Sequence, residues 1–341
     1  MKTFFLLVSS VSSTLGLFAL LLPTNPVKAF YIDPHAETMA ETVPVFPTPL
    51  VQQQQPKPPP DSSTLEVYAK FAGELADAAR LEIMPYWRRS RGELGQELKV
   101  EENRSVFQSA SPVTLADRAA ERKIRELIEE SCPAHGIIGE EFGEQNIDAD
   151  FVWVLDPIDG TRSFITGRPL FGTLISLLYR GSPVIGVIDQ PVLDERWIGV
   201  VGRQSTFNGA PVRTEGVSKL QDAELFSTTP DMFKAGHEMD RYGALKEATR
   251  SSHFGADCYA YALLASGFGV DMVVEADLGL YDYCALVPIV EGAGGTITDW
   301  EGDELGLHNH DACEGRVLAS ANHGLHEQAL RILKSNPPRY D

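Results

Sequence analysis

The chain has 341 residues, of which 43% are hydrophobic and 23% are charged. This composition excludes a chain that is disordered throughout, and the length is enough for one large domain or two closely packed ones. With 48 acidic against 29 basic residues, the formal net charge is -19, which argues against nonspecific nucleic-acid binding and against docking on anionic membranes. An anionic substrate would need local positive charge, which bound divalent cations supply.

Residues 1–29 contain an apolar run from Phe4 to Leu22, followed by Pro-Val-Lys-Ala before Phe30. This pattern predicts a cleavable signal peptide. A membrane anchor is the alternative, because the run approaches the length that spans a bilayer. The junction between Ala29 and Phe30 resembles the boundary between signal and transit peptides in plastid proteins of algae with secondary, diatom-like plastids. We therefore expect a plastid location, with the secretory pathway as the alternative, and no stable membrane association after processing.

Residues 30–63 show little periodicity and are rich in proline and glutamine, with a Gln-Gln-Gln-Gln-Pro tract and three consecutive prolines. Such a composition cannot bury enough apolar surface to fold, so it predicts a transit segment and an extended linker. The folded domain is predicted to cover residues 64–341. No internal repeat is visible.

Four cysteines are present, at positions far apart in the chain: Cys132, Cys258, Cys284 and Cys313. The number permits two disulfides in an oxidising compartment, but no Cys-x-x-Cys pair occurs and a core of this size does not need them. We therefore expect free thiols.

Helical spacing of apolar residues predicts two packing helices at the start of the domain. One runs from Leu65 to Ala79, and the other from Ala119 to Ile128. Thr114 fits the N-cap position of the second helix, with Asp117 in its first turn. Asp117 is thus either a capping residue or a functional one.

Strand and helix patterns alternate in the rest of the domain, as they do in layered α/β folds. Short turns between the first strands favour antiparallel neighbours. The predicted strands are Val152–Leu155, Leu174–Tyr179, Pro183–Ile188, Trp197–Val201, Met272–Glu275, Thr296–Thr298 and Val317–Ser320, and the predicted later helices are Cys258–Ser266, Cys284–Glu291 and His326–Lys334.

The first of these strands runs directly into the sequence Asp156-Pro157-Ile158-Asp159-Gly160-Thr161. Pro157 biases Asp156 toward an extended conformation, and Gly160 permits a turn or a close backbone approach. A helix that begins near Thr161 would offer unpaired N–H groups to an anion. The alternative is a surface turn with solvated acids.

Three further acids extend this pattern: Glu140 and Glu141 before the strand, and Asp282 far downstream. Carboxylates without a nearby Cys or His suit Mg²⁺ better than Zn²⁺, because Mg²⁺ prefers carboxylates, waters and phosphate oxygens. The sequence therefore predicts a magnesium site at the end of the strand.

The motifs Gly139-Glu140-Glu141, Asp156 to Thr161, and Asp282 followed by Gly292-Ala293-Gly294-Gly295 resemble the inositol monophosphatase superfamily of Mg²⁺-dependent, lithium-sensitive phosphatases. The resemblance covers about residues 64–335. It implies a layered α-β-α-β sandwich of the inositol monophosphatase and sugar phosphatase type, a small phosphate monoester as substrate, and a homodimer. It also implies a metal-binding half of about residues 64–205 and a second half of about 206–341.

Within this superfamily, the chain is most similar to the histidinol-phosphate phosphatase branch of plants and bacteria. The stretches that carry this similarity are Asp159–Pro169, Ile188–Val192, Asp257–Ala262 and Tyr281-Asp282. The implied reaction is hydrolysis of L-histidinol phosphate to L-histidinol and phosphate by a metal-activated water, in histidine biosynthesis. The alternatives are an inositol monophosphatase and a noncatalytic metal-binding scaffold.

One departure from the branch pattern affects a loop before Ser111. Many relatives carry a Lys and an Asp there, whereas this chain has Phe107 and Ser109. Any help that such a pair gives to metal binding is in doubt here.

The resemblance also implies residue roles. Glu140, Asp156 and the carbonyl of Ile158 would hold one Mg²⁺, Asp156, Asp159 and Asp282 a second, and Glu140 would touch a third, with Glu141 as a near neighbour. The implied catalytic residues are Thr161, Asp117 and Glu140, with Thr161 hydrogen-bonded to Asp117 to orient the attacking water. The implied substrate-binding residues are Gly160, Thr161, Asp257, Glu275 and Asp282.

Some of these acids have simpler interpretations. Asp257 fits a helix N-cap ahead of Cys258, and Glu275 fits a solvated charge at a strand end. His308 and His310 lie in a polar loop and are expected to be surface residues. The segment 292–295 follows a helix rather than a strand, so close packing or a turn is expected there instead of a nucleotide-binding loop.

Overall fold

The computed structural model describes residues 60–89 and 115–335, all of which fall within one compact unit, Lys57–Asp341. The predicted signal peptide and transit segment, the cap residue Thr114, and the loop residues Phe107 and Ser109 lie outside the described residues. The boundaries of the domain and of its halves stay predictions. Within the described ranges, no helix combines the length and the apolar character needed to cross a bilayer.

The first layer consists of two helices, α1 (Ser62–Ile83) and α2 (Leu115–Ser131). Helix α1 begins where the side chain of Asp61 accepts the N–H of Thr64 at 2.7 Å. Each helix buries one stripe of apolar residues, as the sequence spacing predicts, and the stripe of α2 also includes the acids Asp117 and Glu121.

The two helices cover an eight-stranded mixed sheet in the order β2-β1-β3-β4-β5-β6-β7-β8. Its strands are β1 (Gly136–Gly139), β2 (Gly143–Gln145), β3 (Phe151–Asp159), β4 (Gly172–Tyr179), β5 (Ser182–Gln190), β6 (Glu195–Val200), β7 (Thr206–Phe207) and β8 (Ala210–Pro211). Strand β1 is parallel to β3, whereas β3 to β6 pair antiparallel. The turns from β4 to β5 and from β5 to β6 are short, as expected.

A second, five-stranded mixed sheet has the order β10-β9-β11-β13-β12. Its strands are β9 (Glu224–Ser227), β10 (Ser251–Phe254), β11 (Met272–Glu275), β12 (Thr296–Thr298) and β13 (Val317–Ser320). The later helices are α3 (Thr161–Ile165), α4 (His237–Ala248), α5 (Cys258–Ala265), α6 (Leu280–Tyr283), α7 (Leu286–Gly292), α8 (His310–Cys313) and α9 (His323–Leu333).

Helices and sheets alternate in layers, which confirms the predicted α/β layered fold. Helices α5 and α7 pack between the two sheets in one hydrophobic cluster, and α1 and α2 form a second cluster with the outer face of the first sheet. Helices α4 and α9 cover the outer face of the second sheet in a third cluster. Helix α9 was predicted, as His326–Lys334, whereas α4 was not. All four cysteines are free, as expected.

Candidate active site

The end of strand β3 is irregular, and this irregularity brings two acids to the same place. Asp156 pairs with Leu174 and Asp159 with Gly172, so β3 advances three residues where β4 advances two. Such a bulge bends the strand and redirects its side chains. The carboxylate of Asp156 accepts the N–H of Ile158 at 3.0 Å. The two aspartates therefore lie on one side of the strand end.

Gly160 turns the chain out of the strand into helix α3. Its φ of 86° lies in the left-handed region, and a Cβ there would lie 2.9 Å from the carbonyl oxygen of Leu170. Both features require glycine. The first N–H groups of a helix have no partner inside it, so those of Gly160 and Thr161 are positioned for an anion beside the acids.

Asp282 completes the cluster from the other half of the chain. It lies in the short helix α6, where its Oδ2 accepts the N–H of Gly279 at 2.6 Å. One carboxylate oxygen from each of Asp156, Asp159 and Asp282 lies within 4.8 Å of the others. This spacing and an all-oxygen donor set fit a hard divalent cation.

Glu140 and Glu141 approach from the turn that follows β1. The N–H of Glu140 donates to the carbonyl of Leu155 at 3.2 Å, and its side chain meets that of Asp156. Glu141 forms an ion pair with Arg118 at 3.4 Å. The turn thus adds two carboxylates to the edge of the cluster.

Burial, and then the mutual repulsion of the acids, raises the pKa of Asp156 and Asp159 well above the usual value. The same causes raise the pKa of Glu141 to about 7, and burial raises that of Asp282 to about 7. These acids resist simultaneous ionisation because burial and mutual repulsion penalise each added negative charge, and the ion pair of Glu141 with Arg118 offsets this only in part. A bound divalent cation would remove this penalty, so the residues present fit a metal site.

Thr161 and Asp117 lie beside this cluster. The hydroxyl of Thr161 donates to the carbonyl of Ile158 at 3.1 Å. Asp117 is buried in α2, and its charge contributes to the raised pKa of Asp156. The hydrogen bond between Thr161 and Asp117 stays a prediction.

A cavity of about 80 Å³ lies next to the acids. Four acidic side chains, Asp159, Asp257, Glu275 and Asp282, line it together with the apolar side chains Met232, Leu278 and Leu286 and with Thr228, Cys258 and Tyr261. The two acids that the sequence resemblance connects with substrate, Asp257 and Glu275, thus share one cavity with two of the cluster acids.

Glu275 is not the solvated charge of the simpler interpretation, because it is 3% exposed. Its Oε1 accepts the N–H of Thr228 at 2.8 Å, and its Oε2 accepts the hydroxyl of Tyr261 at 2.9 Å. Burial raises its pKa to about 7. Each oxygen keeps a second lone pair for a ligand in the cavity.

Asp257 occupies the N-cap position of α5, but its side chain does not cap the helix. Its Oδ2 instead accepts the hydroxyl of Ser163 at 3.3 Å. The carboxylate of Asp159 accepts the N–H of Cys258 in its place, at 2.5 Å. The capping interpretation of Asp257 is therefore wrong.

Three residues that contact these acids were not identified from the sequence: Ser163, Tyr261 and Glu121, whose carboxylate accepts the N–H of Glu141. Glu121 follows Asp117 by one helical turn, so the helical pattern places both on one face. Ser163 and Tyr261 lie within the stretches that resemble the histidinol-phosphate phosphatase branch. The helical spacing and the similar stretches thus pointed to these residues, but only the folded chain reveals which acids they contact.

The weaker candidates do not join the site. His308 is exposed, and His310 is half-buried and lies 2.9 Å from the hydroxyl of Tyr283. A Cβ at Gly295 would lie 2.8 Å from Val290, which confirms close packing after α7.

The sequence matches the model of the inositol monophosphatase family over residues 64–337. The Bifunctional phosphatase IMPL2, chloroplastic, of Arabidopsis thaliana is 43% identical over 291 residues, which cover 84% of this chain and 80% of that protein. The Histidinol-phosphatase of Mycobacterium tuberculosis is 34% identical over 231 residues, covering 66% of this chain and 85% of that protein. A solved inositol monophosphatase from Zymomonas mobilis aligns with a TM-score of 0.68 at 40% identity, over 79% of this chain and 98% of that one.

Proposed function

This chain belongs to the inositol monophosphatase family of phosphatases, and we propose that it hydrolyses L-histidinol phosphate to L-histidinol and phosphate. The observation that carries this proposal is the pair of carboxylates, Asp257 and Glu275, in the cavity beside the acidic cluster. Histidinol has an amine and an imidazole, and each is a partner for a carboxylate when it is protonated. The name of the relative from Mycobacterium tuberculosis supports the same substrate.

We propose that two or three Mg²⁺ ions bind at each active site. Asp156, Asp159 and Asp282 would hold one ion, and Glu140, Asp156 and the carbonyl of Ile158 another. When bound, Mg²⁺ acidifies water and neutralises phosphate oxygens. Because a net charge of -19 repels anions, these ions would supply the local positive charge that a phosphate substrate needs.

The protein groups around the cluster bind and orient the reactants. The N–H groups of Gly160 and Thr161 would bind phosphate oxygens, because they lie at the N-terminus of helix α3. The side chains of Thr161 and Asp117 would orient the attacking water in line with the bond that breaks. Asp257 and Glu275 would hold the alcohol so that the phosphate lies at the cluster.

An inositol phosphate is the second candidate substrate. Carboxylates also accept hydrogen bonds from the hydroxyl groups of a polyol, and the Zymomonas mobilis structure, at 40% identity, is of an inositol monophosphatase. A noncatalytic metal-binding scaffold is the third candidate. A scaffold does not explain why the chain places Thr161 beside five acids, three in the cluster and two at its edge.

A direct comparison of substrates tests the proposal. Phosphate release by the purified protein is measured with Mg²⁺ and equal concentrations of L-histidinol phosphate and inositol 1-phosphate. We expect kcat/KM to be at least tenfold higher for L-histidinol phosphate. A preference for inositol 1-phosphate would replace the substrate but keep the metal site, and no release from either would favour the scaffold.

We also propose that residues 1–63 direct the protein to a plastid and that the mature enzyme is a lithium-sensitive homodimer. The relative from Arabidopsis thaliana is named as chloroplastic, which supports this location. A reporter fused to residues 1–63 should enter the plastid, and its appearance in the medium or the plasma membrane would contradict the proposal. Light scattering of the purified protein tests the dimer.

A further inference from the structure

Helix α2 holds the turn that carries Glu140 and Glu141. The contact is made by Glu121, which is fully buried at 0% exposed. One of its oxygens accepts the N–H of Glu141 at 2.8 Å, and the other accepts the N–H of Phe142 at 3.2 Å. Because a single carboxylate binds two consecutive N–H groups, it restricts the backbone of the turn directly beside Glu140.

Arg125 supports Glu121 from the next turn of α2. Its Nε lies 2.8 Å from Oε1 of Glu121, and the two side chains are 11% and 0% exposed. The guanidinium also donates to the carbonyl of Gly143 at the far end of the turn. A buried carboxylate needs a partner and complete hydrogen bonding, and this arrangement provides both.

The turn also leaves space for this carboxylate. A Cβ at Gly139 would overlap the carboxylate of Glu121, so any larger residue there would displace that carboxylate from its two N–H partners. Arg118, on the same helix, pairs with Glu141 at 3.4 Å. Helix α2 therefore contacts both the backbone and a side chain of the turn.

We propose that Glu121, supported by Arg125, is a positioning residue for divalent-cation binding. It fixes the backbone around Glu140 and Glu141 before a cation arrives, so that less conformational freedom is lost on binding. It contacts neither the cavity nor the residues that line it. Loss of this contact therefore weakens cation affinity and leaves the substrate contacts in place. The proposal depends on the proposed function only in that the site uses a divalent cation.

The test compares Glu121→Gln with Glu126→Gln in the full-length protein. Glu126 lies on the same helix in an exposed ion pair with Lys123, with a separation of 3.3 Å, so it controls for the chemical change. Two readouts need no substrate: amide hydrogen exchange at Glu141 and Phe142 in EDTA, and calorimetric titration with MgCl₂ alone. The third readout uses activity: the Mg²⁺ concentration that gives half-maximal activity and the substrate KM are measured separately, and the effect of the variant on each is compared.

For Glu121→Gln we expect at least tenfold faster exchange at these two amides and fivefold to twentyfold weaker Mg²⁺ binding. We expect KM at saturating Mg²⁺ to change less than twofold, and Glu126→Gln to match the wild type. Exchange and Mg²⁺ affinity within twofold of the wild type would overturn the proposal, as would a loss of thermal stability alone.

A second variant keeps the test valid if Glu121→Gln does not fold. Arg125→Gln removes the ion pair and the contact with Gly143 but keeps both acceptors of Glu121, and the same exchange and titration criteria apply to it. The two substrate-free readouts also separate this proposal from the proposed function. A protein that binds Mg²⁺ but hydrolyses neither phosphate would still give a result.

Discussion

The carboxylate of Asp159 accepts the backbone N–H of Cys258 at 2.5 Å. This bond joins the end of β3 to the start of α5, two elements separated by almost a hundred residues. An acid of the cluster thus also caps the helix that borders the cavity. The geometry of the candidate metal site and that of the cavity are therefore coupled through one side chain.

Asp159→Asn should abolish most phosphate release and leave the fold intact. The amide oxygen of Asn still accepts the N–H of Cys258, but the variant loses one negative charge from the cluster. Metal-derived charge stabilisation is worth several kcal/mol, so we expect at least a thousandfold loss of kcat. Asp148 is exposed, so the control variant Asp148→Asn, measured in the same assay, should keep full activity. Unchanged release by Asp159→Asn would mean that the cluster is not the metal site.

The metal-free protein should lose stability as pH rises. Asp282 has a pKa of about 7 in the folded chain, above its ordinary value, and Asp156 and Asp159 are raised too. Between about pH 4 and pH 7 the folded state therefore binds more protons than the unfolded state. The stability that these acids contribute is fully present below pH 4 and is lost as pH rises through about 7.

Mg²⁺ should reverse this loss by replacing the protons. At a hundred times its Kd, a bound ion adds about 2.7 kcal/mol to the free energy of unfolding. The increase in Tm caused by Mg²⁺ should accordingly be larger at pH 8 than at pH 5, because protons compete at the lower pH. Thermal melts with EDTA and with Mg²⁺ at both values measure this. An equal increase at both pH values would contradict the assignment.

Glu275→Gln should remove one contribution to this pH dependence. Burial raises the pKa of Glu275 from 4.5 to about 7. A difference of this size corresponds to about 3 kcal/mol of stability that is present below pH 4.5 and lost as pH rises through 7. Denaturant unfolding in EDTA across this range should show a shallower slope for the variant. An unchanged slope would show that Glu275 is ionised in the free protein.

Tyr261→Phe should weaken substrate binding with little effect on metal binding. The variant removes the hydroxyl that donates to Glu275 at 2.9 Å, so the carboxyl group that would bind the substrate loses one of the two hydrogen bonds that orient it. We expect KM for L-histidinol phosphate to rise about tenfold. Tyr259→Phe is the matched control, because its hydroxyl donates to Glu195 at 2.6 Å instead. Equal effects of the two variants would argue against a role for Tyr261 in the cavity.

Much of the fold follows from the sequence, because apolar periodicity is strong where an element is buried on one face or both. Strands β3 to β6 and helix α5 lie within a few residues of their predicted positions. Strands β9 and β10 and helix α4 were not predicted. Helix α4 buries only a few side chains, and β10 is largely exposed, so neither has a clear apolar pattern.

The candidate site, like the fold, was predicted only in part from the sequence. The acids Asp156, Asp159 and Asp282 were identified because short motifs surround them, and the structure brings them together. The partners Glu121 and Tyr261 lie 20 and 14 residues from the groups that they contact, and no local pattern links them. Pairwise contacts of this kind depend on tertiary packing and cannot be derived from spacing.

The most direct test of the central claim is the location of a divalent cation in a crystal of the protein soaked with Mn²⁺. Anomalous diffraction at the manganese edge identifies the ion without reference to the reaction. We predict a peak bound by the carboxylates of Asp156, Asp159 and Asp282. A protein that releases phosphate with Mn²⁺ but shows no peak among these three residues would contradict the account.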